Sequence, residues 1–291
     1  MAVILLSLSY LVYLLLPADG SVNRKLMLSP LICRDQIELA RELSLVEAET
    51  SVIPTSHAGF ITVDEILGNH LFFWFFPSTS GSESPLVVWL KMEGPEFTSS
   101  LGLFYENGPM RLTDKWYERS NISWTETMSM LYIDNPVGVG YSYSDSGIAG
   151  YRTDQDGYSK DLYEFIEQFY LLFPEYQIRE LYIGGKSYAG KYVPVFAYHL
   201  HLEIKAGRSY LPLAGIYLGS PLFDPYEQEI FRNRMFDGFK YKVLIYTGDQ
   251  DALVSPAMVD VALLSMIWSR QQEYEDSRRS VWWSGKGCRN K

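Results

Sequence analysis

The sequence predicts an α/β fold, a central sheet carrying helices on both faces, and three features of the chain lead to it. Seven short runs rich in Val, Ile, Tyr, Phe and Trp are bounded by turn residues, the signature of strands. Several of these runs are apolar at every position, as expected of strands covered on both sides rather than on one. Two long stretches with helical periodicity fall among the later runs, giving the order strand, helix, strand, helix, strand. With 291 residues, 47% of them hydrophobic and 21% charged, the chain can bury a sizeable core and is not of disordered composition.

In chain order, Ala2 to Leu16 is an apolar run closed by Pro17 and followed by Ala18, Asp19 and Gly20. The small residues before a cut after Gly20 give residues 1–20 the pattern of a secretory signal peptide, leaving 21–291 as one domain. The run is shorter than the roughly 20 residues that cross a bilayer, so no stable membrane insertion is expected. The predicted strands are Gly59 to Val63, Leu71 to Phe76, Pro85 to Leu90, Ser129 to Ile133, Leu181 to Gly184, Leu213 to Leu218 and Tyr241 to Tyr246. The first helix is marked by Tyr158, Leu162, Phe165, Ile166, Phe169, Leu172 and Phe173 on one face and stops at Pro174. A second runs from about Tyr188 to Ile204, with Val193, Ala197, Leu200 and Ile204 aligned. Ser142 to Gly157, rich in glycine and aspartate, is expected to be a surface loop. The segment from Ser269 onward begins as a solvated helix and carries late aromatics, Trp282 and Trp283.

Composition excludes several functions. The 25 basic and 35 acidic residues leave a net charge of −10, which repels a nucleic-acid backbone, so no nucleic acid is expected as a partner. Two cysteines, Cys33 and Cys288, allow one disulfide and exclude a cysteine-based zinc site. The four histidines are His57, His70, His199 and His201, and none has metal-ligand spacing. No metal and no cofactor are expected. On a secretory route, Asn121-Ile122-Ser123 is a glycan acceptor and an oxidised Cys33–Cys288 pair is favoured.

The stretch that carries chemistry is Leu181-Tyr182-Ile183-Gly184-Gly185-Lys186-Ser187-Tyr188-Ala189-Gly190-Lys191-Tyr192. It places a serine with small neighbours between a strand and a helix, as in a nucleophile elbow, where a crowded turn lifts the hydroxyl above the sheet. The N–H of Tyr188 would then point at a developing oxyanion. An ordinary helix-capping serine at such a junction has the same local pattern.

Longer strings decide more. Leu131 to Tyr143 (LYIDNPVGVGYSY), Lys186 to Pro194 (KSYAGKYVP) and Val243 to Asp251 (VLIYTGDQD) resemble the serine carboxypeptidase family. Arg41 to Val46, Leu71 to Pro77 and the stretch from Trp268 to Trp282 narrow the likeness to its vitellogenic and vitellogenic-like branch. The resemblance, which covers nearly all of residues 25 to 283, implies an α/β-hydrolase fold with a mixed, mostly parallel sheet and a triad in the chain order Ser, Asp, His. It makes Ser187 the nucleophile, Asp251 the acid that orients the histidine, and the N–H groups of Gly94 and Tyr188 the oxyanion hole. Glu106 would help recognise the terminal carboxylate of a peptide or protein, the expected partner. The implied activity is release of C-terminal residues through an acyl-enzyme, in a secreted or endolysosomal protein.

The chain departs from that family in four places. No histidine follows His201, so the general base expected beyond Asp251 is missing from the sequence. The glycine-rich loop of the family appears as Trp89 to Ser100 with one residue inserted and with Glu93 and Glu96 in place of glycines, which strains or displaces the Gly94 N–H. Lys186 occupies the position of a second recognition glutamate and could pair with Glu106, bind a substrate carboxylate or face solvent. Only about twenty residues separate the last two predicted strands, so the helical cap is largely missing around 219–240. Its loss would leave Phe231, Met235, Phe236 and Phe239 as an apolar surface for a second copy or another partner. The expected function is that of a serine carboxypeptidase impaired by these losses. The alternatives are a non-catalytic secreted peptide-binding relative or a truncated product.

Overall fold

The computed structural model describes residues 25–46, 53–81, 83–92, 99–113, 117–221, 241–248, 256–265 and 270–278. The expected signal segment, Gly94, Asp251, Cys288 and the apolar residues of 222–240 lie outside them. Two short helices come first, α1 (Ser29–Ile32) and α2 (Ile37–Ser44), followed by β1 (Leu45–Val46), β2 (Ser56–Asp64), β3 (Asn69–Phe76) and β4 (Leu86–Met92). A π-helical turn at Gly102–Glu106 leads to the ribbon β5 (Met110–Leu112) and β6 (Tyr117–Arg119), then to β7 (Ser129–Ile133) and β8 (Tyr143–Ser144). The rest alternates: α3 (Gln155–Leu172), β9 (Leu181–Ser187), α4 (Ala189–Lys205), β10 (Leu213–Gly219), β11 (Lys242–Tyr246), α5 (Pro256–Ser265) and α6 (Gln271–Glu275).

All seven predicted strands and both predicted long helices are present, with boundaries shifted by a few residues. The main sheet has the order β1-β2-β3-β7-β4-β9-β10-β11, with β8 paired to β3. β1, β2 and β3 are antiparallel, β3 meets β7 antiparallel, and β7, β4, β9, β10 and β11 run parallel. β9 is therefore central, and its C-terminal end opens onto the edge where parallel sheets bind ligands.

Side-chain alternation divides the core into two layers. Phe73, Phe75, Val88, Leu90, Leu131 and Ile183 face α3 and α4, joined by Phe165, Phe169, Val193 and Phe196. Trp74, Phe76, Val87, Trp89, Met130, Tyr132 and Tyr182 form the opposite layer with Leu103 and Phe104 of the π-helical turn. Both long helices thus lie on one face, and the turn with its β5–β6 ribbon covers part of the other. α3 starts at Asp154, whose carboxylate caps the Gly157 N–H at 2.7 Å, and ends before Pro174, which cannot continue it.

The segment expected as a surface loop, Ser142 to Gly157, is more ordered than its composition implies. Its start pairs as β8 with β3, Gly147–Gly150 forms a 3-10 turn, and α3 begins at Gln155. An ion cluster holds it: Arg152 donates to both carboxylate oxygens of Asp161 on α3 and, at 2.8 Å, to Asp64 at the end of β2. Burial pushes the Asp161 carboxyl up and Arg152 opposes that shift; burial also raises Asp64, but backbone N–H groups and Arg152 together outweigh it and hold that carboxyl down. Only 3% of the Asp161 side chain is exposed, so removing the guanidinium strands a charge. Arg152→Met should lower the unfolding free energy by about 3 kcal/mol, and Arg152→Met combined with Asp161→Leu should recover most of it, measured by denaturant titration at pH 7.

Candidate active site

The last residue of β9 is Ser187, and its backbone sits at φ 57°, a left-handed conformation in which only two other described non-glycine residues are found, Asp35 and Ser220. Such a residue costs roughly 1–2 kcal/mol and persists only where the surroundings enforce it. The enforcement comes from close packing. A Cβ on Gly185 would lie 2.4 Å from the Leu90 carbonyl oxygen and 2.5 Å from the Ala189 Cβ, so a glycine there and a small residue at 189 let α4 start directly above the sheet. The strand, sharp turn and helix of a nucleophile elbow are all present. The reading of Ser187 as a helix cap does not fit, since Tyr188 is the N-cap residue of α4.

Lys186 and Glu106 meet beside this crest. Glu106 ends the π-helical turn and is 15% exposed; its Oε1 accepts from Lys186 Nζ at 3.1 Å. Of the alternatives open for Lys186, pairing with Glu106 is what the structure shows. Two tyrosines missed by sequence reasoning feel the same carboxylate. Tyr132 is held well above its ordinary range and Tyr246 is pushed up to about 12, in both cases by burial and then by the charge of Glu106. Tyr132 donates to Asn107 Oδ1 at 2.8 Å, and the Asn107 carbonyl accepts from the Trp124 N–H and Ser123 Oγ. Tyr132 lies on β7, Tyr246 on β11 and Asn107 on a turn; no motif at fixed spacing links them, only the adjacency of their elements.

The four histidines are engaged elsewhere. His57 bonds Ser44 Oγ and packs on Phe173, and His70 bridges Thr62 and Asp145. His199 packs on Tyr163 and His201 meets Tyr241 Oη. The last two lie twelve and fourteen residues beyond Ser187 on the same helix, roughly 18 and 21 Å along its axis. Among the described residues Ser187 Oγ has no hydrogen-bond partner. No group of three or more His, Cys, Asp or Glu among them could hold a metal, and no described helix is long and apolar enough to cross a membrane.

A mixed, largely parallel sheet with a strained serine at the C-terminal end of its central strand defines an α/β hydrolase. The particular family follows from the sequence: the serine carboxypeptidase profile matches residues 47–238, and the chain belongs to that family. It is 43% identical over 211 residues to a probable serine carboxypeptidase, CPVL, of Rattus norvegicus, covering 72% of this chain and 44% of the relative. It is 37% identical over 211 residues to the vitellogenic carboxypeptidase of Aedes aegypti, again 72% and 44%, as its strings implied. Among solved structures, a prohormone-processing carboxypeptidase of Saccharomyces cerevisiae, KEX1(Δ)p, aligns with a TM-score of 0.53 at 31% identity, covering 62% of this chain and 41% of that one. The chain thus spans less than half the length of these relatives.

The strain at Ser187 is open to measurement. Ser187→Gly should be more stable than Ser187→Ala by about 1–2 kcal/mol, because both lose the hydroxyl and only alanine keeps the left-handed penalty. Equal denaturant midpoints would show an unstrained turn.

Proposed function

We propose that Ser187 is the nucleophile of serine-type carboxypeptidase chemistry and that these 291 residues by themselves carry it out poorly. The observation that carries the reading is the strained Ser187 crest placed one residue from the Lys186–Glu106 pair. In the reaction the Oγ bonds to the carbonyl carbon of the last peptide bond, the Tyr188 N–H, with Gly94 as its expected partner, receives the oxyanion, and the amine departs carrying a proton. Lys186 supplies a cation to the free carboxylate of the residue that leaves, and Glu106 holds that cation in place. A carboxylate anchored next to the nucleophile restricts attack to the final bond, which is what makes such a site a carboxypeptidase and not an endopeptidase.

The proton of Ser187 needs an acceptor, and the four imidazoles are engaged elsewhere. In subtilisin, removing the triad histidine lowers turnover by about a millionfold, and an unassisted Ser187 should lose a comparable factor. The same observation favours a second reading, in which the pair binds peptide C-termini without cleaving them. Both readings predict that a peptide with a free C-terminus binds better than its amide and that Lys186→Gln removes the preference, by about tenfold. A fluorophosphonate probe then separates catalysis from binding. Slow labelling of Ser187 is expected, and labelling as prompt as that of an active serine hydrolase would overturn the impairment.

We assign the chain to the secretory route, supported by the apolar run Ala2 to Leu16 and by the exposed turn that carries Asn121. Ser123, the third residue of the sequon, caps the turn through Thr125 N–H at 3.1 Å and leaves Asn121 accessible. Expression in a glycosylating cell should yield a species whose gel mobility shifts on glycosidase treatment, and Asn121→Gln should abolish the shift.

A further inference from the structure

Among the described residues six of nine arginines, Arg41, Arg111, Arg152, Arg179, Arg208 and Arg270, close on a carboxylate, and Arg34, Arg119 and Arg278 do not. Of these three, Arg34 lines a cavity of about 350 Å³ together with two carboxylates, Glu65 and Asp145. Glu65 is likewise without an ion pair among the described residues. Opposite charges that share a cavity and do not close on one another leave room for a ligand that carries both.

The walls are held by backbone. Arg34 projects from the tight turn after α1, where the N–H groups of Cys33, Arg34, Asp35 and Gln36 bond back to residues 29–32 and Asp35 takes φ 55°. Glu65 sits in the β2–β3 turn, whose Ile66 and Leu67 N–H groups bond Asp64 Oδ1. Asp64 is in turn fixed by Arg152. Asp145 belongs to the same wall: its N–H bonds the Gly68 carbonyl at 2.9 Å, and its carboxylate meets His70 Nε2 at 3.2 Å. His70 is 7% exposed and bonds Thr62 Oγ1 on its other nitrogen, so the imidazole braces the acidic wall from behind. The guanidinium therefore comes from the turn after α1, and the carboxylates from the β2–β3 turn and from the residue after β8, which backbone hydrogen bonds hold together.

We infer that this cavity is a second ligand site, distinct from the Ser187 crest, and that it takes a free α-amino acid as a zwitterion. The α-carboxylate would lie on Arg34, whose planar fork suits it, and the α-ammonium between Glu65 and Asp145. The volume is at the lower end of those that hold small molecules, larger than one amino acid and too small for a folded partner. Nothing in this inference requires that Ser187 be active.

Saturation-transfer NMR with L-alanine and L-phenylalanine tests it on the full chain. Saturable binding in about the millimolar range is expected. In Lys186→Gln, which removes the carboxylate site beside Ser187, binding should persist, be lost on N-acetylation and on amidation of the probe, and be weakened about tenfold by adding Arg34→Gln or Glu65→Gln; it should also be kept in Ser187→Ala. Both wall substitutions are at exposed side chains, so folding should survive, and a matching thermal transition checks this. Three results would overturn the site: no saturable binding, equal binding of the N-acetylated amino acid in Lys186→Gln, or binding that Lys186→Gln removes and Arg34→Gln leaves intact.

Discussion

The close approach of α4 to the end of β9 governs the rest of the molecule's design. A side chain on Gly185 would collide with the Leu90 carbonyl, so β4, β9 and the first turn of α4 can come together only around a bare backbone. That contact forces Ser187 to φ 57°, and the strained turn sets the direction of its hydroxyl. The sheet absorbs the cost of one unfavourable dihedral because β9 is paired on both sides, to β4 and to β10, over nearly its whole length. Had the serine been placed on an edge strand, the turn could relax outward and the hydroxyl would lose its fixed position.

Charge placement follows from the same geometry. The turn that raises Ser187 also fixes Lys186, which is close enough to Glu106 for an ion pair, and Glu106 is in place because the π-helical turn packs against Trp89 of β4 through Gly102. The partly buried pair is flanked by Tyr132 and Tyr246, whose ionisation is suppressed by burial and then by the carboxylate. A site built this way keeps a cation and an anion side by side next to an alcohol, a combination suited to holding a zwitterionic or carboxylate-terminated group. Toward the β2 side of the sheet, Arg152 with Asp64 and Asp161 solves the opposite problem, closing opposite charges tightly so that a largely exposed, glycine-rich segment is tied to β2 and α3.

Much of this was legible in the residues. The all-buried β3, NHLFFWFF, reads as a central strand because its run of aromatic and aliphatic side chains leaves neither face suited to water. The serine with glycines before it and an alanine after it identified the elbow, and the strings around it identified the family. The expectation of a surface loop at Ser142 to Gly157 fell short because composition records glycine and aspartate, but not that an arginine in the same segment reaches Asp64 and Asp161 once the chain folds. Tyr132, Tyr246 and Asn107 carried no signal, since each is an ordinary residue in its own stretch. The places of Gly94, Asp251 and Cys288 are not among the described residues.

The sequence by itself determined which segments would be strands and helices, where the elbow serine would stand and which family the chain resembles. These depend on local periodicity, on the small size of neighbouring residues and on strings of adjacent positions. Only the tertiary structure decided that Lys186 turns to Glu106, that both long helices share one face, and that each of the four histidines has a packing role away from Ser187. The first of these joins residues 80 positions apart. Energies of pairing and packing act through space, and the order of residues along the chain does not record which of several partners will come within reach.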